Sequence, residues 1–325
     1  GGYFEKAIAP LRPLMDAPDT IEVAVNPDGA VWAERAGEAT MARTDIHIAG
    51  SALALLASQL ACGQALSANR PILSGDVMHM GESWRVQIVG KPAAETGYAI
   101  ALRRNVLTDL SLDDLAGTGA FDRVRIAHAA GERDQIKALF DDGDIAGGLR
   151  KAVAARWNIL VSGGTSSGKT TMLRALLFEI DPAARFVTIE DGFELRPRHA
   201  NRVELRATST GPNTPPALLE ASLRLRPDRI ILGELRGTEA WSFLEAINTG
   251  HPGALTTIHA NSPDAAFERL ALMAMRAGLG LKRTEIIDYA RSVLDLVVQV
   301  ERKDGKRGVA EVLVLGDNAL RPETR

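Results

Sequence analysis

Residues Gly163, Gly164, Thr165, Ser166, Ser167, Gly168, Lys169 and Thr170 form the pattern G-x-x-x-x-G-K-[ST]. The apolar run 158–161 precedes them and a helical stretch, 171–178, follows, which is the strand–loop–helix context the pattern needs. Glycines let the backbone curl so that its N–H groups converge on phosphate oxygens. The helix opening at Thr171 adds positive potential. Lys169 is placed to reach the β- and γ-phosphates, and the Thr170 hydroxyl to hold Mg²⁺. ATP with Mg²⁺ is the expected ligand, although such a loop alone does not separate kinases, GTPases and ATPase motors.

Two carboxylates stand at the ends of apolar runs. Residues 229–232 lead into Gly233 and Glu234, with glycine where a Walker B aspartate is expected. Glu234 could orient or deprotonate the attacking water, hold a Mg²⁺-bound water, or simply pair with Arg236. Glu190 follows the run 185–189 and should face the same crevice, at the C-terminal ends of parallel strands. Which of the two is the base stays open, and Asp191 and Glu194 are further candidates. His259 ends the run 254–258 on the same edge, where a γ-phosphate could be sensed by a hydrogen bond. His251 sits before Pro252 in a Gly-rich turn, where structural and functional roles are equally open.

These residues need strands to carry them and a sheet to align the strands. From residue 123 onward, apolar runs alternate with helical stretches, which predicts an α/β domain with a mainly parallel sheet over 123–325. Residues 1–104 read as a smaller α+β unit. It has an amphipathic start interrupted by Pro10 and Pro13, strands at 21–25 and 30–34 joined by the Asn26-Pro27-Asp28-Gly29 turn, a core helix over 52–66, and hairpin strands at 84–89 and 98–103. Residues 105–122, with Gly117-Thr118-Gly119, are expected to link the two.

Composition narrows the functional classes. The 325 residues suit two domains; 46% are hydrophobic and 24% charged, as in an ordinary globular chain. A net charge of −3 argues against strong direct nucleic-acid binding. Cys62 is the only cysteine, which excludes an internal disulfide and a cysteine-cluster zinc site. No apolar stretch approaches the ~18 residues of a membrane span. A cytoplasmic protein is expected.

The segments GGTSSGKTT, TIEDGFEL, RPDRIILGELRG and NTGHPGALTTIHANS occur in that order. Together they resemble the Walker A, Asp box, atypical Walker B and His box of the secretion ATPase superfamily. The TGHPG turn and the opening FEKAIAPLRPLMDAPDTIEVAVNPDGAVWAE are similar to the type IV secretion system traffic ATPases, the class of the eleventh VirB component and its conjugation relatives. That resemblance implies a RecA-like P-loop ATPase domain behind a smaller N-terminal domain. It also implies a homohexameric ring at the cytoplasmic face of the inner membrane, working with inner-membrane and cytoplasmic components of a secretion machine to export protein or DNA. It implies, too, that N-terminal-domain arginines reach the phosphates; Arg85 and Arg103 stand in those places, with Arg104 a rival to Arg103. Competing readings are a type II secretion, pilus or tight-adherence ATPase, a DNA-translocating motor, and a nucleotide-gated ring with negligible turnover.

Overall fold

The computed structural model describes residues 2–48, 50–61, 63–105, 131–303 and 306–315. Most of the expected linker, 106–122, lies outside them. Pro10 and Pro13 divide the N-terminal segment into a helix Gly2–Ile8, a 3₁₀ turn Ala9–Leu11 and a short helix Arg12–Met15. The first sheet is antiparallel and six-stranded, in the order β3-β2-β1-β6-β5-β4. Its strands are β1 (Thr20–Val25), β2 (Ala30–Arg35), β3 (Ala42–His47), β4 (Ile72–His79), β5 (Glu82–Val89) and β6 (Ala99–Arg104). The edge strands β3 and β4 are additions to the four expected. β3 is largely exposed and mostly polar, and β4 mixes Ser74, Gly75, Asp76 and His79 into its run, so neither reads as a plain apolar strand.

Alternation sorts this sheet into two faces. Val23, Val25, Trp84, Val86, Ile88, Ile100 and Leu102 pack on the N-terminal helices and on the helix Gly50–Leu60. Arg104 belongs to that inner side. It is buried, stacks over Trp84 at 4.8 Å and donates to the carbonyls of Met15, Ala17 and Pro18, so it braces the domain.

The second sheet has seven strands in the order β13-β12-β7-β11-β10-β8-β9. They are β7 (Ile159–Gly163), β8 (Phe186–Glu190), β9 (Arg202–Arg206), β10 (Arg229–Leu235), β11 (Leu255–Ile258), β12 (Leu296–Lys303) and β13 (Lys306–Val314). All pairings are parallel except β12 with β13. Helices cover both faces: Glu132–Asp141, Ile145–Ala154 and Lys169–Phe178 on one, and Pro215–Leu223, Glu239–Asn248, Pro263–Met275 and Arg283–Val293 on the other. Burial on both faces explains the near-continuous apolar strands. Fully buried Asn158 ties the sheet together where β7 begins. Its Oδ1 accepts from the amides of Gly253 and Ala254, and its Nδ2 donates to the Val293 carbonyl.

The outer face of the first sheet packs on the second domain. Val89, Ala93, Ala94, Ala99 and Ala101 share a core with Val203, Leu205, Leu218 and Leu219, and the Arg206 amide donates to the Ala93 carbonyl at 2.8 Å. A buried polar cluster lies alongside. Arg185 Nη1 donates to Asn26 Oδ1 at 2.6 Å, and Arg226 Nε donates to Glu34 Oε2 at 2.5 Å. Asn26 therefore anchors the two domains as well as opening a turn. Burial raises the Glu22 carboxyl to about 7, against the opposing pull of Arg226, and burial lowers Arg185 to about 10.

A carboxyl raised on folding stabilises the fold below its unfolded value, and that contribution is lost as pH rises through the folded value. The parent protein should therefore lose stability progressively from about pH 4.5 to about 7 and level off above that, and Glu22→Gln should flatten that slope. Denaturant midpoints measured across this range check it; parallel slopes for parent and variant would contradict it.

Candidate functional site

Parallel register brings the C-terminal ends of four strands to one edge. Ile258 pairs with Ser162, Leu235 with Ile258, and Leu232 with Ile189. Glu190 thus ends β8, Gly233 and Glu234 lie near the end of β10, and His259 follows β11, all beside the loop that follows β7. They line a cleft of about 330 Å³ together with Ser166–Thr171, Asp191, Glu194, Arg236, Thr257 and Arg307, in the range expected for a small-molecule site.

Close approach and backbone conformation account for two of the glycines. A side chain at Gly163 would meet the Val300 carbonyl at 2.5 Å, and Gly168 has φ +101°, which starts the helix Lys169–Phe178 from a left-handed residue. Ser166 is also left-handed, at φ +59°. Gly164, Thr165 and Thr171 complete the loop and the first helical turn.

Lys169 is buried, and its Nζ donates to the carbonyls of Gly163 (3.0 Å) and Gly164 (2.8 Å). The same nitrogen lies 3.1 Å from His259 Nδ1. An ammonium only donates, so Nδ1 accepts and the proton of a neutral imidazole sits on Nε2. Nε2 stands 2.7 Å from Glu234 Oε1, a close polar contact poorly aligned for a hydrogen bond. Desolvation first, and then Lys169 against the pull of Glu234, holds His259 below the usual histidine value, which agrees with a neutral ring. Desolvation also lowers Lys169, with Glu234 opposing. Glu234 Oε2 accepts from Arg236 Nε, so the pairing foreseen as a purely structural role does form, but inside the cleft.

Glu190 is buried and divided in role. Its Oε2 accepts from the amides of Glu194 (2.8 Å) and Leu195 (2.9 Å), while Oε1 is buried without a hydrogen-bond partner among the described residues. Burial raises its pKa and the two amides lower it. Gly233 makes room for this carboxylate: a Cβ there would meet Glu190 Cγ at 3.2 Å. The acidic group missing from position 233 is in effect supplied from β8. The unpartnered Glu190 oxygen shares the cleft with the Thr170 hydroxyl, which donates to Glu194 Oε2 at 3.4 Å, and oxygen donors of this kind suit Mg²⁺.

The clamp that Asp191 and Glu239 add around Arg236, and the reach of Arg307, went unseen in the sequence. Arg236 is oriented by Asp191, Glu234 and Glu239, whose Oε1 accepts from the amides of Arg236 (2.6 Å) and Gly237 (2.7 Å). Arg307 reaches the cleft from β13. His251 stays outside it, near Arg156 and Arg226, and burial lowers its pKa. Arg85 and Arg103 face each other across β5 and β6, on the sheet face that carries Ala99 and Ala101. Both are exposed, Arg85 lies 3.9 Å from Asp76, and neither lines the cleft.

A family model described as "Type II/IV secretion system protein" matches residues 127–319. The chain belongs to that family. Among its relatives, the type IV secretion system protein VirB11 of Brucella suis is 37% identical, over 94% of this chain and 88% of that protein. The conjugal transfer protein TrbB of Rhizobium radiobacter is 33% identical, over 92% and 84%. The crystal structure of the Brucella suis VirB11 ATPase in complex with sulphate superposes with a TM-score of 0.88, covering 96% of this chain and 98% of that one. The RecA-like P-loop ATPase fold and membership among the VirB11-like ATPases are thereby established.

Replacing Glu190 separates its two roles. Glu190→Gln keeps an acceptor for the two amides without a buried charge, so stability should match or exceed the parent while turnover falls sharply. Glu190→Ala strands both amides and should lose about 2–4 kcal/mol. Denaturation and ATPase assays on both variants check this; a Gln variant turning over at the parent rate would remove Glu190 from the chemistry.

Proposed function

We propose that this chain hydrolyses ATP in the cleft at the end of β7 and, as one subunit of a hexameric ring, energises a type IV secretion machine at the cytoplasmic face of the inner membrane. The observation that carries the reading is the contact chain from Lys169 through His259 to Glu234, set inside a complete phosphate loop. The relatives' printed names support secretion and conjugation as the setting.

Phosphate oxygens compete with the Gly163 and Gly164 carbonyls for Lys169, and Ser167, Gly168 and Lys169 amides complete the cradle. When Lys169 turns to a phosphate, His259 Nδ1 loses its donor, so the imidazole reports occupancy to Glu234. Glu234 then orients the attacking water. Mg²⁺, held beside the Thr170 hydroxyl and Glu190, would neutralise developing charge on the phosphates. Four carboxylates around the cleft favour this division of labour over a bare anion site.

One cation remains to be supplied. An arginine finger can be worth ~10³–10⁵ in rate, and Arg85 and Arg103 are assigned that role by the family resemblance. The first domain shares an apolar core with the second, which opposes its swinging over the cleft of the same chain. Arrival from a neighbouring copy in the ring satisfies both constraints.

Subunit mixing tests this reading. Lys169→Ala and Arg103→Ala should each be nearly inactive alone. Mixed, they should recover part of the parent turnover, because intact Arg103 on one subunit serves an intact loop on another. An active Lys169→Ala protein would overturn the ATP-site assignment, and absence of recovery on mixing would place Arg103 within its own chain.

A further inference from the structure

The geometry points to Arg307 as a nucleotide-phosphate ligand supplied by the hairpin of β12 and β13. The inference rests on the reading of the loop as an ATP site and adds a binding residue to it.

The hairpin overhangs the loop because β12 outruns β7. Gly163 ends β7 opposite Val300, whereas β12 continues through Glu301, Arg302 and Lys303 before β13 returns through Lys306 and Arg307. On the return, Arg307 lies across the loop. Its Nε donates to the Ser166 carbonyl at 2.9 Å, and its Cδ is 3.4 Å from where a side chain at Gly168 would begin. Ser166 is the loop residue held at φ +59°, so Arg307 satisfies the carbonyl of a strained residue. The side chain is thus positioned by one of its nitrogens.

Its remaining donors are uncommitted. Arg307 lines the cleft, its Nη groups form no hydrogen bond to another described residue, and it makes no salt bridge to one. The other cations of the cleft differ: Arg236 is engaged by Glu234 and Asp191, and Lys169 by two carbonyls and His259.

Charge pairing in the hairpin supplies a second argument. Arg302 stands directly opposite Arg307, and Lys303 opposite Lys306, all four exposed. Like charges directly opposed across two strands are destabilising. Strand alternation turns Lys303 and Lys306 to the opposite face, so the Arg302–Arg307 pair is the one that a polyanion bound between hairpin and loop relieves. A guanidinium with Nε on Ser166 and both terminal NH₂ groups uncommitted suits the oxygens of a diphosphate or triphosphate.

ADP titration calorimetry on the full chain, with kcat and KM for ATP, tests the assignment. Hydrogen bonds to charged groups set the expected size. Arg307→Ala should weaken ADP binding at least about tenfold and raise KM, while the unfolding midpoint without nucleotide stays near the parent value. Arg307→Lys, which keeps the charge and loses the fork, should fall between the two. Parent-like ADP affinity in either variant overturns the proposal. A parent chain that binds no ADP overturns the ATP-site reading itself, a different and recognisable result.

Discussion

The buried Lys169 ammonium is the group around which the rest of the site is arranged. It cannot stay charged in a poorly solvated loop without acceptors, and it has three: two loop carbonyls and His259 Nδ1. That requirement fixes the imidazole tautomer, and the tautomer turns Nε2 toward Glu234. Strand order follows the same logic. Because β11 lies between β7 and β10, the residue after β11 is placed to touch both the loop lysine and the β10 glutamate. A sheet with β7 and β10 adjacent would leave no place for a coupling group.

The acidic side of the cleft shows how one substitution depends on another. Position 233 lacks the expected aspartate, and the space is filled by the Glu190 side chain from the neighbouring strand. Two backbone amides hold one oxygen of Glu190 and leave the other bare. Desolvation raises the energy of that bare charge, so a cation or a water is favoured there. The same reasoning applies to the interdomain cluster, where buried Glu22 and Arg185 and part-buried Glu34 and Arg226 offset one another.

The motifs were legible where a chemical need dictates a local pattern. The phosphate loop, the acids at 190 and 234 and the histidine at 259 each follow an apolar strand, and parallel pairing brings such ends to one edge. Edge strands were less legible: β3 is nearly all exposed, and β9 and the β12–β13 hairpin fell outside the apolar runs first picked out. Arg307 was invisible for that reason, since its role depends on how far β12 outruns β7, a tertiary length that no local pattern encodes. Arg103 and Arg104 are indistinguishable by type, and strand alternation separates them: Arg104 turns inward onto Trp84, and Arg103 lies on the opposite face, opposite Glu22.

The most direct test of the coupling chain is the protonation state of the His259 ring, read by nitrogen-15 histidine NMR with and without ADP. Without nucleotide, the account predicts a neutral ring at pH 7, protonated on Nε2, with an Nδ1 shift typical of a hydrogen-bonded acceptor. With ADP, the Nδ1 shift should move as Lys169 turns to the phosphates. A doubly protonated ring, a proton on Nδ1, or an Nδ1 signal indifferent to ADP would contradict it.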